Sequence, residues 1–530
     1  MSSPSLEPVA TPPPPPPRGA KPVAVIDIGT AAIRMAVAEI SAAGNVRNLE
    51  SLSQAVSLGR DTFTRGSIAK ATIEDCVRVL RSYRRILREY QIESPDQIRC
   101  IATSAVREAT NRLAFLDRVY IATGLHVEAL DESEVNRVAF LGVQPLIAAD
   151  EHLSKSHVVV AEIGGGSTEL LLMNGSDVVY AHSYRLGSLR LRETLEAFRA
   201  PTLKLRNIME SHIQRTVEEI TETIRVEGPL ELIAMGGDVR FAVRTLQPGW
   251  DGKDLARLKL TALEDLTNKL LGQSEDRIVR KYHLTYPEAE TIGPALLAYV
   301  MLARDLKLKE LLISNLTLRD GLLIEMAAGA GWTKEFSKQI VRSAMDLGKR
   351  YNYDDVHAGH VATLAATLFH ELREEHQLSP RQEVILCVAA LLHEIGLFVS
   401  NRSYHKHSMY LIRHSELFGL GRRDQLLAAL VARYHRRASP QPTHEGYATL
   451  ERDERVVVSK LAAILRVAIA LDEARSQRIH QLSCDREEGR LVISIPLVED
   501  LAVEQLALKQ SGSLFEEVFG MPVLLRMVKR

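Results

Sequence analysis

The apolar positions in the first part of the chain follow a regular order of strand-like runs and helix-like periods. Two apolar runs joined by a glycine-containing turn start at residue 22, and a third strand is predicted at 46–57. A helix at 70–90, a strand at 98–103 and a helix at 111–123 follow, and a further strand and helix extend to about residue 143. This alternation predicts a mixed α/β sheet covered by helices.

The same order begins again at residue 157. An apolar run breaks at three consecutive glycines and resumes as a second strand. A third strand and then a long helix at 203–225 are predicted after this hairpin. Strands at 230–235 and 310–314 complete the set, with helices between them. We interpret the repeated order as an internal duplication of one α/β lobe.

Helical periodicity dominates the C-terminal part of the chain. Segments 356–375 and 383–392 carry apolar residues at positions i, i+3 and i+4, which is typical of a helical bundle. A small α/β unit is predicted after the bundle, with strands at 490–496 and 522–528 and a helix at 498–510.

A chain of 530 residues is too long for one hydrophobic core and is expected to form several domains. The predicted fold class is α/β, with two related lobes followed by an all-α domain and a small α/β unit. In chain order, the predicted boundaries are a proline-rich tail at 1–21, lobe I at 22–145, lobe II at 146–330, the helical domain at 331–485 and the small unit at 486–530.

The charge of the chain is balanced, with 66 Lys and Arg residues against 67 Asp and Glu residues. A neutral chain has no overall field to attract a polyanion, so such a ligand would need a local basic groove. The four cysteines include no Cys-x-x-Cys pair, which is against a disulfide framework or a structural zinc site and is typical of a reducing compartment. No run approaches the roughly 20 apolar residues of a membrane span, and the N-terminus lacks the apolar segment of a secretory signal. We therefore expect a soluble, cytoplasmic protein.

The N-terminal tail contains six consecutive prolines, from Pro12 to Pro17. Such a run favours a disordered, polyproline II-like conformation. It could recruit a proline-recognising partner, but a solvated extension is the favoured interpretation.

Two glycine-containing hairpins carry the strongest chemical signal in the sequence. In Glu162-Ile-Gly-Gly-Gly-Ser-Thr-Glu169, a tight turn exposes backbone N–H groups that a phosphate can approach closely. The flanking carboxylates of Glu162 and Glu169 could hold a divalent cation against that phosphate. A similar turn follows an apolar strand in Val23-Ala-Val-Ile-Asp-Ile-Gly-Thr30. Together the hairpins predict two lobes with phosphate between them.

The hairpins belong to a wider resemblance that also includes segments 101–112, 185–190, 235–237 and 316–323. In this order, from about residue 22 to about residue 480, the chain resembles the exopolyphosphatase/guanosine pentaphosphate phosphohydrolase family (Ppx/GppA). The resemblance implies two actin-like lobes of the RNase H-like type. It also implies cleavage of the terminal phosphate from inorganic polyphosphate or from guanosine pentaphosphate (pppGpp).

The resemblance and the chemistry of phosphoanhydride hydrolysis together indicate the site residues. The loose transition state needs charge neutralisation, in-line positioning and an activated water. We expect Mg²⁺, with Glu162 and Glu169 as ligands, to neutralise charge, because Mg²⁺ prefers hard oxygen ligands. Arg107 would add to this as a catalytic residue, with a surface ion pair as the alternative. The residues expected to contact phosphate, or to reach the cation through water, are Asp27, Gly29, Thr30, Gly164, Gly165, Gly166, Ser167, Thr168, Gly236 and Gly237.

Two departures from the family pattern concern phosphate and metal binding. The family has Asp where this chain has Glu162, which keeps the same ligand chemistry. In the first hairpin, Ala31 and Ala32 replace an Asn and a Ser, so two side-chain hydrogen bonds to phosphate are missing.

A third departure concerns the water-activating Glu of the family, which falls on Val135 in this chain. Loss of a general base typically costs about 10²- to 10⁴-fold in rate. Glu134 is the predicted catalytic replacement, and Glu132 is the other candidate. For both, the alternative is a solvated helix N-terminus that carries acidic residues.

Histidines of the helical region resemble the HD-domain superfamily, whose metal site uses a His, a His-Asp pair and a later Asp. Here the pair is His393-Glu394, and the later Asp falls on Ile469. With these positions altered, we expect the histidines to have a structural role rather than to form a binuclear metal site.

Basic residues of the same region could face one groove that binds long polyphosphate. A solvated basic surface is an equally good interpretation. The residues of this predicted groove are Arg402, His405, Lys406, His407, Arg436 and Arg437.

The sequence therefore predicts a cytoplasmic, Mg²⁺-dependent phosphohydrolase that acts on polyphosphate or pppGpp. Neither membrane contact nor a specific nucleic acid is expected, and a homodimer is left open. The main alternative is a polyphosphate- or nucleotide-binding regulatory protein that has lost catalysis. An ATP-using kinase or chaperone of the same superfold is a third, weaker alternative.

Overall fold

The computed structural model describes residues 20–197, 205–329 and 332–528. Most of the predicted proline-rich tail lies outside the described residues. The described chain forms two compact units. The first contains residues 20–129 and 319–329, and the second contains residues 130–318 and 332–528. The five-part division predicted from the sequence is finer than this one and stays a prediction.

The first unit is a five-stranded sheet with helices packed against it. Its strands are β1 (Lys21–Ile28), β2 (Ala32–Ile40), β3 (Val46–Ala55), β4 (Ile98–Ala102) and β5 (Val127–Ala129). Its helices are α1 (Leu58–Arg65), α2 (Lys70–Glu89), α3 (Ser104–Glu108) and α4 (Arg112–Thr123), with a 3-10 turn at Pro95–Gln97. The strand order is β3-β2-β1-β4-β5.

The second unit begins with a six-stranded sheet. Its strands are β6 (His157–Ile163), β7 (Thr168–Asn174), β8 (Asp177–Tyr184), β9 (Leu230–Met235), β10 (Ala256–Lys259) and β11 (Glu310–Ile313). The helices of this part are α5 (Glu132–Ala149), α6 (Ser188–Ala197), α7 (Leu205–Thr223), α8 (Gly237–Leu246), α9 (Leu260–Leu271), α10 (Glu275–Tyr282) and α11 (Tyr286–Asp305), with a 3-10 turn at Leu153–Lys155. Most of α5 was predicted in lobe I, and it lies in the second unit.

Both sheets share one topology. In the first, β1-β2 and β2-β3 are antiparallel pairs, while β1-β4 and β4-β5 are parallel. In the second, β6-β7 and β7-β8 are antiparallel, while β6-β9 and β9-β11 are parallel, and β10 adds an antiparallel edge. The internal duplication predicted from the sequence is therefore present.

Helix α12 (Leu318–Ala328) lies almost entirely in the first unit, and the rest of the chain is mainly helical. The helices are α13 (Lys334–Arg350), α14 (Asp355–Glu371), α15 (Arg373–His376), α16 (Pro380–Leu392), α17 (Tyr404–His414), α18 (Arg422–Arg433), α19 (Arg452–Ala470), α20 (Ala502–Ser511) and α21 (Ser513–Phe519). Further 3-10 turns lie at Ile395–Phe398 and Tyr447–Thr449. A terminal sheet of order β12-β13-β14 contains β12 (Ser483–Glu487), β13 (Arg490–Pro496) and β14 (Val523–Val528).

The predicted fold class is confirmed, with two α/β sheets, a helical region and a small C-terminal α/β sheet. Two strands were missed because their sequences carry little apolar signal: β12 is mostly exposed and charged, and β10 is a four-residue edge strand. None of the helices within the described residues has the length and hydropathy needed to cross a bilayer.

Candidate active site

The glycine-rich hairpin of the second unit joins β6 to β7. The antiparallel register places Glu162 opposite Glu169, and the turn is closed by a hydrogen bond from Gly164 N–H to Ser167 O of 2.9 Å. Residues directly opposite in such a pair project from the same face of the sheet with Cβ atoms about 4.5–5.5 Å apart. The two carboxylates are therefore neighbours at the mouth of the turn, as a shared cation would require.

The turn presents backbone donors rather than side chains. Within the described residues, the N–H groups of Gly165, Gly166 and Ser167 have no hydrogen-bond acceptor. Positive φ values occur at other glycines of this unit, such as Gly236, but at none of the three turn glycines. The backbone conformation of these three residues therefore does not require glycine. The distinguishing property of the turn is that its glycines carry no side chains. Such a run of free N–H groups is suited to an anion.

The start of α6 holds the opposite side of the turn. Ser188 N–H donates to Gly164 O and Arg190 N–H donates to Gly165 O, each at 2.9 Å, while Arg190 Nε donates to Gly166 O at 2.7 Å. A Cβ atom on Gly187 would lie 2.4 Å from the carbonyl carbon of Gly166. Gly187 is part of the sequence motif at 185–190, but this close approach of two backbones was not predicted from the sequence.

Tyr299 links this turn to the second glycine-containing turn of the unit. The fully buried Tyr299 hydroxyl accepts a 2.7 Å hydrogen bond from Ile163 N–H and donates to Met235 O. Gly236, with a φ of 113°, follows Met235 directly as the N-cap of helix α8, and its Cβ position would lie 3.6 Å from the Tyr299 hydroxyl. Burial raises the pKa of Tyr299 well above its usual value, so the group stays a neutral phenol. Tyr299 is a positioning residue that the sequence analysis missed.

We expect Tyr299→Phe to disturb both turns at once. The substitution keeps the ring but leaves a buried N–H and a buried carbonyl without their partner, at a cost of about 1–3 kcal/mol. The apparent affinity for a phosphate-containing substrate should fall about tenfold, because the ends of β6 and β9 lose their common link. The matched control is Tyr83→Phe in the first unit, where another buried hydroxyl donates to Ile33 O at 2.9 Å. Equal effects of the two variants on substrate affinity would contradict this role.

The Glu169 carboxylate is oriented by two hydroxyl groups. Oε1 accepts from Ser167 Oγ at 2.7 Å and from Ser183 Oγ at 3.1 Å, and the residue is 9% exposed. Glu162 is partly buried. Two carboxylates at adjacent register positions provide the one or two hard oxygen ligands that Mg²⁺ commonly takes from protein. The residues therefore fit the predicted cation, which stays a prediction.

The first unit contains the other predicted hairpin, between β1 and β2. Its turn is closed by Gly29 N–H donating to Ala32 O at 3.0 Å. Asp27 is opposite Arg34 in the register and also accepts from Arg319 Nη1 at 3.4 Å. A Cβ atom on Gly29 would lie 3.4 Å from Arg34 Nη1, so this guanidinium is beside the turn. Arg34 is a candidate phosphate contact that the sequence analysis missed, at the hairpin that lacks the Asn and Ser of the family.

Arg107 lies in α3, at the carboxyl end of β4. Thr103 N–H donates to Ile28 O at 3.3 Å, which brings the start of α3 beside the end of β1. Because β1 and β4 are parallel, the turn at Gly29 and helix α3 leave the same edge of the sheet. This placement agrees with the predicted contact of Arg107 with phosphate but does not test it.

Glu134 has a structural partner within the second unit. Its Oε2 accepts from Nε and Nη2 of the buried Arg137 at 3.1 and 2.9 Å. Its backbone N–H donates to Asp131 Oδ1 at 2.9 Å, and Asp131 Oδ2 accepts from Arg422 N–H at 2.7 Å. These bonds join the start of α5 to the start of α18. They favour the structural interpretation of Glu134 over its predicted catalytic role.

Glu132 has a different environment, although it is only two residues away. It lines a cavity of about 60 Å³ together with Asn136 and Ser183. Ser183 is the residue that donates to Glu169. Residues three apart on a helix are neighbours, so Glu132 lies on the same side of α5 as Val135. Of the two predicted replacements for the missing base, the geometry therefore favours Glu132.

The predicted basic groove involves the start of α17 and the end of α18. Lys406, His407 and Arg433 line one cavity of about 270 Å³. The Arg436 guanidinium lies 4.9 Å from the ring centroid of Tyr404, at the start of α17. The two basic clusters of the sequence are thus adjacent in space. Of the predicted residues, Arg402, Lys406, Arg436 and Arg437 are exposed, while His405 and His407 are partly buried.

Comparison with known proteins identifies the family of this chain. A model of the Ppx/GppA phosphatase family matches residues 25–329, and a model of Ppx/GppA phosphatase domain III matches residues 341–511. The structure is similar to an exopolyphosphatase from Cytophaga hutchinsonii, with 21% identity over 59% of this chain and 99% of that chain, and a TM-score of 0.53. A Ppx/GppA family member from Aquifex aeolicus matches with 21% identity over 59% of this chain and 100% of that chain, and a TM-score of 0.49. Since the first family model spans more than half of the chain, this protein belongs to the Ppx/GppA phosphatase family, and this membership supports a phosphohydrolase function.

Proposed function

We propose that the protein releases the terminal phosphate of inorganic polyphosphate or of pppGpp by Mg²⁺-assisted attack of water. The observation that carries the proposal is the turn at Gly164–Ser167, which has free N–H groups at residues 165–167 and the opposed carboxylates of Glu162 and Glu169 at its base. The N–H groups would bind phosphate oxygens. The bound Mg²⁺, held by the two carboxylates, would neutralise the charge on those oxygens. The mechanism needs no covalent intermediate with the protein.

Glu169→Gln tests the proposed cation site. The substitution keeps the size of the side chain and removes one ligand charge, so the Mg²⁺ concentration that gives half-maximal phosphate release should rise about tenfold. The measurement is released phosphate against Mg²⁺ concentration, with long-chain polyphosphate and with pppGpp. Glu231→Gln, a carboxylate on β9 that contacts His152, is the control. An unchanged titration for Glu169→Gln would place the cation elsewhere.

A binding protein without catalysis is the second candidate. It is favoured by Val135, which is buried at the position of the family's base, and by Glu134, whose carboxylate is bound to Arg137. Such a protein would retain the turn and bind polyphosphate without releasing phosphate. Measuring binding and release on the same preparation separates the two functions.

Long polyphosphate would also contact the basic groove of the helical region. Exposed charges are screened beyond about 8–10 Å near physiological salt, so this binding should weaken steeply with ionic strength. Replacing both Arg436 and Arg437 by Gln should make the binding of long polyphosphate less dependent on salt. The salt dependence of binding for short chains should remain almost unchanged. Arg257→Gln with Arg304→Gln, two ion-paired arginines of the same unit, is the charge-matched control. Equal effects on long and short chains would place the groove outside the substrate path.

A further inference from the structure

A cavity with a basic rim lies at the start of α19, in a part of the helical region that the proposed hydrolysis does not use. Its volume is about 430 Å³, within the range of about 300–1,000 Å³ that is usual for small-molecule sites. Arg452, Arg455, Val456 and Lys460 come from one face of α19, because residues three and four apart on a helix are neighbours. The 3-10 turn at Tyr447–Thr449 and helix α21 contribute the remaining walls. We call this the α19 cavity.

The charged side chains of the α19 cavity are all cations. Arg452, Arg455 and Lys460 line it, and none of the described residues in its wall is an Asp or a Glu. None of the three cations makes an ion pair with a carboxylate of the described chain. The carboxylate of Glu454, which is next to Arg455 in the sequence, pairs with Arg423 instead. The cavity therefore concentrates positive charge in a chain whose overall charge is balanced.

Arg455 is the anchored cation of this rim. Its Nη2 donates to Ala448 O at 3.1 Å, and its guanidinium carbon lies 5.7 Å from the ring centroid of Tyr447. Its Nε is buried and has no hydrogen-bond partner within the part of the chain that the structure describes. A buried donor without an acceptor is unfavourable, so an anion at the rim would complete the hydrogen bonding of this guanidinium.

Another cavity of the same unit shows the more common arrangement, in which the cations are neutralised. Arg206 and Arg304 line this cavity of about 400 Å³ between α7, α9 and α11. Each pairs at 2.8 Å with a carboxylate of the same wall, Arg206 with Glu210 and Arg304 with Glu264. Paired charges of this kind leave little field to attract an anion. The lack of carboxylates therefore distinguishes the α19 cavity.

The rest of the α19 cavity is largely apolar. Leu450, Val456 and Val518 line it, and Val456 is 44% exposed although its side chain is aliphatic. Inorganic polyphosphate has no apolar part that could use this wall. The combination fits an anion that also carries an apolar or aromatic group. Because a guanidinium binds phosphate oxygens and also stacks on aromatic planes, a nucleobase joined to a phosphate suits this wall and rim.

We propose that the α19 cavity binds a nucleoside phosphate, with the phosphate on Arg452, Arg455 and Lys460 and the base against Val456 and Val518. Arginine binds phosphate through paired N–H groups, and lysine adds a point charge. The cavity contains no carboxylate that could hold a divalent cation, so binding does not need Mg²⁺. This property separates the site from the proposed Mg²⁺-dependent site at the glycine-rich turn.

The test is binding of GMP and of AMP to the full chain in the presence of a chelator, measured by isothermal titration calorimetry. Nucleoside monophosphates contain no phosphoanhydride bond, so they are not substrates of the proposed hydrolysis. We expect one equivalent of at least one of the two nucleotides to bind. Inorganic phosphate should bind at least about tenfold more weakly, because it cannot bury apolar surface against the valines.

Arg452→Gln and Val456→Asp are the site variants. Both side chains are exposed, so the substitutions should leave the fold intact. Arg452→Gln should weaken nucleotide binding about tenfold, since a charge-assisted hydrogen bond is lost. Val456→Asp should abolish binding, because the new carboxylate repels the phosphate. Arg304→Gln, which changes an arginine of the other cavity, is the matched control and should bind the nucleotide normally.

Three results would overturn the proposal: no binding of either nucleotide, equal binding of inorganic phosphate, or unchanged affinity in both site variants. Phosphate release from polyphosphate is measured separately on the same preparation. Its absence would contradict the proposed hydrolysis and would leave the nucleotide titration unaffected, so the two failures are distinguishable.

Discussion

Replacement of Gly187 by Ala should reduce phosphate release about 100-fold, because displacing a binding group by about 1 Å can cost this much in rate. A Cβ atom at this position would lie 2.4 Å from the carbonyl carbon and 2.5 Å from the Cα atom of Gly166. Both neighbouring atoms are backbone, so the turn must move. The N–H groups of the turn would then no longer match the phosphate oxygens. The measurement is the rate of phosphate release from polyphosphate at saturating Mg²⁺.

Overpacking of this kind typically lowers stability by about 1–3 kcal/mol, so the unfolding free energy must be measured beside the rate. Gly249→Ala is the control, since no atom lies within 4 Å of a Cβ at Gly249. A folded Gly187→Ala protein with a normal rate would show that the turn does not bind the reacting phosphate.

Val135→Glu should raise phosphate release by about 10²- to 10⁴-fold, the usual contribution of a general base. Val135 is 6% exposed, and burial raises the pKa of a carboxyl group. The rate of the variant should therefore increase with pH, with a midpoint above that of an ordinary Glu. The measurement is the pH profile of phosphate release. No gain, despite tight substrate binding, would favour the binding-protein function.

Glu132→Gln and Glu134→Gln test which of the two carboxylates acts as the base in the wild type. Glu134→Gln breaks a partly buried ion pair and should lower stability by about 3 kcal/mol, because it leaves Arg137 without its charged partner. Glu132→Gln should instead lower the rate of release with little change in stability. Loss of activity in Glu134→Gln at unchanged stability would show that the original prediction for Glu134 was correct.

The sequence predicted the elements whose signals are local. The strand at 230–235, the helix at 70–90 and the hairpin of Glu162 and Glu169 all follow from apolar periodicity and turn residues, and each is present in the structure. The family predicted from the ordered motifs is confirmed by the family model. None of these features depends on contacts between segments that are distant in the sequence.

The contacts that hold the site could not be predicted in this way. Tyr299 lies 136 residues from Ile163 along the chain, and Gly187 meets the turn only after α6 has packed. In each case the missing information is a tertiary contact, which residue spacing does not contain.

The most direct test is release of phosphate from long-chain polyphosphate by the purified wild-type chain, with Mg²⁺ and with the cation removed by a chelator. Binding of the same polyphosphate is measured in parallel. We predict slow, Mg²⁺-dependent release that stops when the chelator is added. Tight binding with no release of phosphate, from either polyphosphate or pppGpp, would contradict the proposed hydrolysis.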